Sequence, residues 1–227
     1  MIKLKRLANM IDHTLLKADA QKAEFEQLCK EAINYGFKMV AINSYPVGMC
    51  RNFVQDSDVH VGAAIGFPLG QTTIETKVFE VKDAIKNGAD EIDYVINIGK
   101  LKEGDFDYIR DEMKAVVNVS REGGIISKVI LENCYLTDQE KMAVCEIAKE
   151  VKPDYVKTST GFGTGGATVE DVKLMKQVVG ETVKVKAAGG IRDLDTALQM
   201  IEAGAERLGT SAGIKIIEEY KQLEGAD

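Results

Sequence analysis

Histidine is the scarcest reactive residue in this chain, with His13 and His60 the only two among 227 residues. A catalytic zinc site usually draws on two or three His, or on Cys with His, at ordered spacings. Neither histidine has such neighbours. The four cysteines, Cys29, Cys50, Cys134 and Cys145, form no C-x-x-C pair and read as reduced thiols of a cytosolic protein. With only three prolines and no long Ser/Gly-rich linker, residues 1–227 read as one domain. No apolar run approaches the ~18 residues of a membrane span. The positively charged start, residues 1–9, leads into no apolar leader segment, so the expected location is cytoplasmic. Twenty-nine basic against 36 acidic residues give a net charge of −7, which argues against a nucleic-acid partner. An anionic substrate would have to be held by local features against that field.

What the chain does have is alternation. Short apolar or β-branched runs fall at Met10–Leu16, Met39–Asn43, Val59–Phe67, Glu91–Asn97, Lys128–Leu131, Tyr155–Thr160, Val183–Ala188 and Glu206–Thr210. Between them, apolar residues recur at helical spacing, as in Phe25, Leu28, Cys29, Ala32 and Ile33. One such stretch, Met142 to Ala148, follows the capping box Thr137-Asp138-Gln139-Glu140. Another opens at Thr168 and ends near Gly180. Strand–helix alternation implies a parallel sheet, because each crossover needs a helix. Eight units in this length predict an α/β fold of the closed (βα)8 TIM-barrel type.

Strands of such a barrel are covered on both faces and should be apolar. Asp12, Asp93, Lys157 and Lys186 break that rule, each inside one of the runs above. Any one alone is readable as an ordinary ion pair or a strand-end charge, the reading given to Lys128, Glu132 and Lys184. Together the four predict a site at the carboxyl ends of the strands, where barrel enzymes keep their chemistry. Lys157 and Lys186 fall on consecutive strands, and each ammonium raises the cost of charging the other. One amine should therefore lose its proton easily, the condition for attack on a carbonyl. Either lysine could form the imine, with Asp93 as proton shuttle. The lack of a histidine cluster favours this route over a metal-stabilised enolate, so no metal or cofactor is expected.

Three glycine-rich turns follow the last strands: Thr160-Gly161 through Thr168, Gly189-Gly190-Ile191-Arg192, and Gly209-Thr210-Ser211-Ala212-Gly213. Small residues let backbone N–H groups approach an anion, and barrels often hold phosphate after strands seven and eight. Gly161, Gly163 and Gly166 also spell G-x-G-x-x-G, but in the sixth unit, where a dinucleotide fingerprint does not belong.

The motifs Asp12-His13-Thr14-Leu15-Leu16-Lys17, Gly88-Ala89-Asp90-Glu91-Ile92-Asp93, Val156-Lys157-Thr158-Ser159-Thr160-Gly161 and Val185-Lys186-Ala187-Ala188-Gly189-Gly190 together resemble the deoxyribose-phosphate aldolase family, from about residue 9 to 216. The resemblance implies a class I aldolase acting on 2-deoxy-D-ribose 5-phosphate, glyceraldehyde 3-phosphate and acetaldehyde. It implies Lys157 as the Schiff-base lysine, Lys186 as its pKa-lowering neighbour and Asp93 as acid/base. Asp12 would support them. Thr160, Gly161, Gly189, Gly190, Gly209 and Ser211 would surround the phosphate. Partners would be a sugar phosphate, an aldehyde and further copies of the chain in a homodimer or homotetramer. Ala212 stands where the family commonly has a second serine, and Ala41 and Ser44 where Cys and Pro are expected. Tyr220 in the tail reads as the packed face of a last helix.

Overall fold

The computed structural model describes residues 2–225; Met1, Ala226 and Asp227, the ends of the start and tail segments discussed above, lie outside them. Eight strands alternate with helices: β1 (Ile11–Leu15), β2 (Met39–Asn43), β3 (His60–Ile65), β4 (Glu91–Val95), β5 (Ile126–Ile130), β6 (Tyr155–Lys157), β7 (Lys184–Ala188) and β8 (Arg207–Thr210). The helices are α1 (Leu4–Ala8), α2 (Lys22–Tyr35), α3 (Val47–Val54), α4 (Ile74–Lys86), α5 (Ile98–Lys102), α6 (Phe106–Glu122), α7 (Asp138–Val151), α8 (Val169–Val179), α9 (Leu194–Glu202) and α10 (Gly213–Glu224). Every strand pairs in parallel with the next, and β8 returns to β1, closing the expected (βα)8 barrel.

The helix starts are set by side chains that take up the free N–H groups of a first turn. Thr73, Asn97, Asp105, Thr137, Thr168 and Asp193 each accept from a backbone N–H three residues on, contacts that contribute about 1 kcal/mol each. The capping box at Thr137 forms as its sequence predicts.

Strand alternation splits the interior in two. Val40, Ile42, Val61, Ala63, Ile92, Tyr94, Val129 and Val185 face outward and join the large apolar cluster beneath the helices. Burying side chains of this size stabilises by about 1.5–3 kcal/mol each. The intervening positions face the lumen, and there the chain places charges. Gly62 helps to fit them: a Cβ there would lie 2.3 Å from Sδ of Met39, so its absence leaves the lumen space that Met39 occupies.

Several strand boundaries differ from expectation, two of them beside the site. β5 begins at Ile126 rather than Lys128, and β6 ends at Lys157 rather than Thr160. After Lys157 side chains take over from the strand ladder. The Thr158 hydroxyl donates to the carbonyl of Ala188 and accepts from its N–H, both at 3.1 Å. Tyr220 is buried on α10, its hydroxyl donating to the carbonyl of Ile2.

Candidate active site

Asp93 sits at the centre of the lumen. Its Oδ2 accepts from Nζ of Lys157 at 2.7 Å and from Nζ of Lys186 at 2.6 Å. Lys157 and Lys186 are paired across β6 and β7, which aims both side chains at one carboxylate. Lys186 also lies 2.5 Å from Oδ2 of Asp12. The four strand charges singled out in the sequence therefore converge, as expected.

Three residues not singled out belong to the same cluster. Lys128, read from sequence as an ordinary ion pair or strand-end charge, is ion-paired but fully buried in this cluster, and donates to Oδ1 of Asp93 at 2.7 Å. It also lies 2.5 Å from Oε2 of Glu91. Arg207 donates through Nε to Asp12 at 2.8 Å and through Nη2 to Glu91 at 3.1 Å. Glu91 precedes Asp93 by two residues and so shares its face of β4. That period-two spacing was the signal available for it. Lys184, the third residue read as a strand-end charge, is exposed and agrees with that reading.

The electrostatics separate the members. Burial alone would raise the Asp93 pKa, but Lys128, Lys157 and Lys186 together hold it well below the usual carboxylate range. Lys157 is pushed down to about 8. Burial is the largest cause; Asp93 opposes it, and the Lys186 ammonium adds to it. The expectation that a neighbouring lysine would depress this amine identifies a real contribution, but desolvation leads.

A cavity of about 760 Å³ opens at the carboxyl ends of the strands. Of the seven lumen charges only Lys157 reaches its wall. Asp93 and Lys186 lie behind it, 4% and 0% exposed. The lining also includes all six expected phosphate residues: Thr160, Gly161, Gly189, Gly190, Gly209 and Ser211. Gly161, Gly189 and Gly190 have φ between 80° and 88°, a conformation that side chains resist. The loops after β6 and β7 press together at Gly166, where a Cβ would lie 2.3 Å from the carbonyl oxygen of Gly189. Gly209 serves a second purpose, since a Cβ there would come within 3.3 Å of Cε of Lys186. Arg192 also lines the cavity.

Glu132, likewise set aside as an ion pair or strand-end charge, is another correction. It is 2% exposed, adopts φ 58°, and accepts the Thr160 N–H at 3.1 Å as well as the Thr160 hydroxyl. The Thr160 oxygen in turn accepts the N–H of Phe162 at 3.0 Å. A buried carboxylate thus shapes the turn that carries Gly161.

Residues 6–219 match the model of the DeoC/LacD family of aldolases. Deoxyribose-phosphate aldolase of Lactobacillus acidophilus is 59% identical over 96% of this chain and 92% of its own length. That of Thermococcus gammatolerans is 54% identical over 96% of this chain and 98% of its own. Among solved structures, a tetrameric deoxyribose phosphate aldolase from Aeropyrum pernix superposes with a TM-score of 0.91 at 30% identity, covering 97% of this chain and 93% of that one. The aldolase QR15 gives 0.92 at 38%, covering 100% and 99%. A closed barrel with its lysines gathered on one carboxylate and a glycine-walled cavity above them agrees with that match over nearly the whole length: the chain belongs to the DeoC/LacD aldolase family.

Proposed function

We propose that this chain reversibly cleaves 2-deoxy-D-ribose 5-phosphate to D-glyceraldehyde 3-phosphate and acetaldehyde through a Schiff base on Lys157. The observation that carries the assignment of the nucleophile is that Lys157 alone, of the lumen charges, reaches the cavity wall. Its pKa near 8 supplies a usable neutral fraction at physiological pH. Lys186 is sealed behind it and ion-paired to two carboxylates.

The neutral amine attacks C1 of the open-chain sugar, and loss of water leaves an iminium. Removal of the C3 hydroxyl proton turns that oxygen into a carbonyl as the C2–C3 bond breaks, and the electron pair enters the iminium as an enamine. Protonation at C2 and hydrolysis then return acetaldehyde and the free amine. Asp93, bonded to both lysines, would accept and return the protons, with Lys186 as its partner and Asp12 holding Lys186. The phosphate would lie against the N–H groups of Gly161, Gly189 and Gly190, beside Gly209, Ser211 and Thr160. The route calls on no metal or cofactor.

The catalytic unit is the single barrel. Among the described residues no helix is long and apolar enough to cross a membrane, and we place the enzyme in the cytoplasm. The Aeropyrum pernix relative is a tetramer, and a homodimer or homotetramer is proposed here, to be read by light scattering. The test of the chemistry is borohydride trapping with acetaldehyde followed by peptide mapping. A reduced ethyl adduct on Lys157 is expected. An adduct on Lys186 would reverse the two roles, and full activity with no adduct would sink the imine mechanism.

A further inference from the structure

The lumen beneath the reacting lysine holds more charge than the chemistry uses. Three carboxylates, Asp12, Glu91 and Asp93, meet four basic groups, Lys128, Lys157, Lys186 and Arg207. Buried charges are tolerated when paired, and an uncompensated one is strongly destabilising. Full pairing of three carboxylates therefore leaves one basic group without a counter-charge. Arg207 cannot release its proton. Lys186 and Lys128 each contact two carboxylates, Asp12 with Asp93 and Glu91 with Asp93. Lys157 contacts one, and shares that oxygen with Lys186.

We propose that Glu91, Lys128 and Arg207 are positioning residues that decide, by charge count, which lumen amine is left neutral. None of them lines the cavity. They act through Asp93 and Asp12: Lys128 occupies Oδ1 of Asp93, and Arg207 occupies Oδ1 of Asp12. Each contact withdraws negative charge that would otherwise hold a proton on Lys157. The inference rests on the Schiff-base reading of Lys157 given above.

The surroundings are accounted for strand by strand. β1 contributes Asp12, β4 contributes Glu91 and Asp93, and β5 to β8 contribute Lys128, Lys157, Lys186 and Arg207. At the amino-terminal mouth His60 of β3 bonds Oε1 of Glu91 through Nδ1 at 2.6 Å, while its Nε2 meets Nζ of Lys38 at 2.8 Å. A ring nitrogen facing an ammonium acts as acceptor, which leaves the Nδ1 proton for Glu91. The Tyr155 ring stacks beneath the Arg207 guanidinium, 5.7 Å from centroid to Cζ. On the cavity side Lys17, Glu24, Glu31 and Arg192 contribute both signs where solvent screens them.

The test is the pH dependence of acetaldehyde trapping on Lys157 by cyanoborohydride, read by mass spectrometry on the Lys157 peptide. Its acid limb follows deprotonation of that amine. In Lys128→Met the freed Asp93 charge stabilises the Lys157 ammonium, and the limb moves up by about one pH unit. In Glu91→Gln the excess of basic groups over carboxylates grows from one to two, the weakest proton holder yields more readily, and the limb moves down. Lys128→Arg keeps the charge and leaves the limb in place. A purely structural role would move both limbs the same way or neither, and either result overturns the proposal. So would a Lys128→Arg shift equal to that of Lys128→Met. Circular dichroism of each variant guards against misfolding, and Glu91→Gln, being isosteric, is decisive if Lys128→Met unfolds. Failure of the wild-type enzyme to trap at Lys157 would instead refute the underlying reading.

Discussion

Replacing Glu132 tests whether a carboxylate that never touches the amine governs recognition of the phosphate. In Glu132→Ala the Thr160 N–H and hydroxyl both lose their acceptor inside the protein. A buried donor left unsatisfied costs about 1–3 kcal/mol, so the pair should cost about 2–6 kcal/mol. Alanine is no easier to hold at φ 58° than glutamate, and the change relieves no backbone strain. For a domain of this size each kcal/mol lowers Tm by about 2–4 °C, which predicts a fall of about 4–24 °C by differential scanning calorimetry. The same loss frees the turn of Thr160, Gly161 and Phe162. KM for 2-deoxyribose 5-phosphate should rise about tenfold, equivalent to ~1.4 kcal/mol, with a much smaller change in kcat. Unphosphorylated 2-deoxyribose is the internal control, since it makes no use of that turn. If Tm falls while the ratio of kcat/KM for the two sugars stays fixed, Glu132 is a stability residue only. If Tm does not fall, the hydrogen-bond reasoning itself is wrong.

Three other perturbations probe different parts of the molecule. Both ammonium groups of Lys157 and Lys186 bond one oxygen and so lie within about 5 Å of each other, where their repulsion at an effective dielectric near 20 is on the order of 3 kcal/mol. Lys186→Leu should raise the Lys157 pKa and move the acid limb of imine formation up by about 1–2 pH units; an unmoved limb would mean the amines do not interact. Lys77 and Glu112 form a fully buried pair 2.6 Å apart outside the barrel, with burial lowering the lysine pKa and raising that of the glutamate. Lys77→Met alone should cost about 3–5 kcal/mol in urea unfolding, and the Lys77→Met/Glu112→Leu double variant should recover most of it; equal losses would refute the pairing argument. Asp93 and Glu91 titrate below their unfolded values, so their contribution is whole above about pH 4 and fades as pH falls through the lower folded values. Acid unfolding followed by circular dichroism should accordingly begin below pH ~4, and a transition above it would contradict the assignment.

The barrel was legible because its two periods are written in residue type: apolar runs at strand length, and apolar stripes with capping residues between them. Lys157 and Lys186 were legible for a related reason, as charges inside runs that should carry none. Lys128 and Arg207 carry the same anomaly, yet one strand charge is ambiguous until the register is known. That register depends on β8 closing against β1, with Asp12 opposite Gly209, a pairing between the two ends of the sequence. Glu132 was harder still, since nothing in a glutamate announces a left-handed backbone or a hydroxyl waiting 28 residues on. A lowered pKa for one of the two lysines is legible from their adjacency, and the resemblance assigns it to Lys157, but burial, its largest cause, exists only once the barrel is closed.

The ion pair between Asp12 and Arg207 spans 195 residues of chain. Among the described residues the cations paired with Asp12 lie on β7 and β8, so a chain leaving the ribosome carries its first interior carboxylate without them until almost all of the sequence has been made. Until then the inside of the growing sheet has reason to stay wet, because drying it would strand that charge. Helices can pack on the outer face early, but the interior is dehydrated only when the last strands arrive. Synthesis order and charge placement thus make completion of the barrel a single late event, and a chain truncated before β7 should keep an open, hydrated interior.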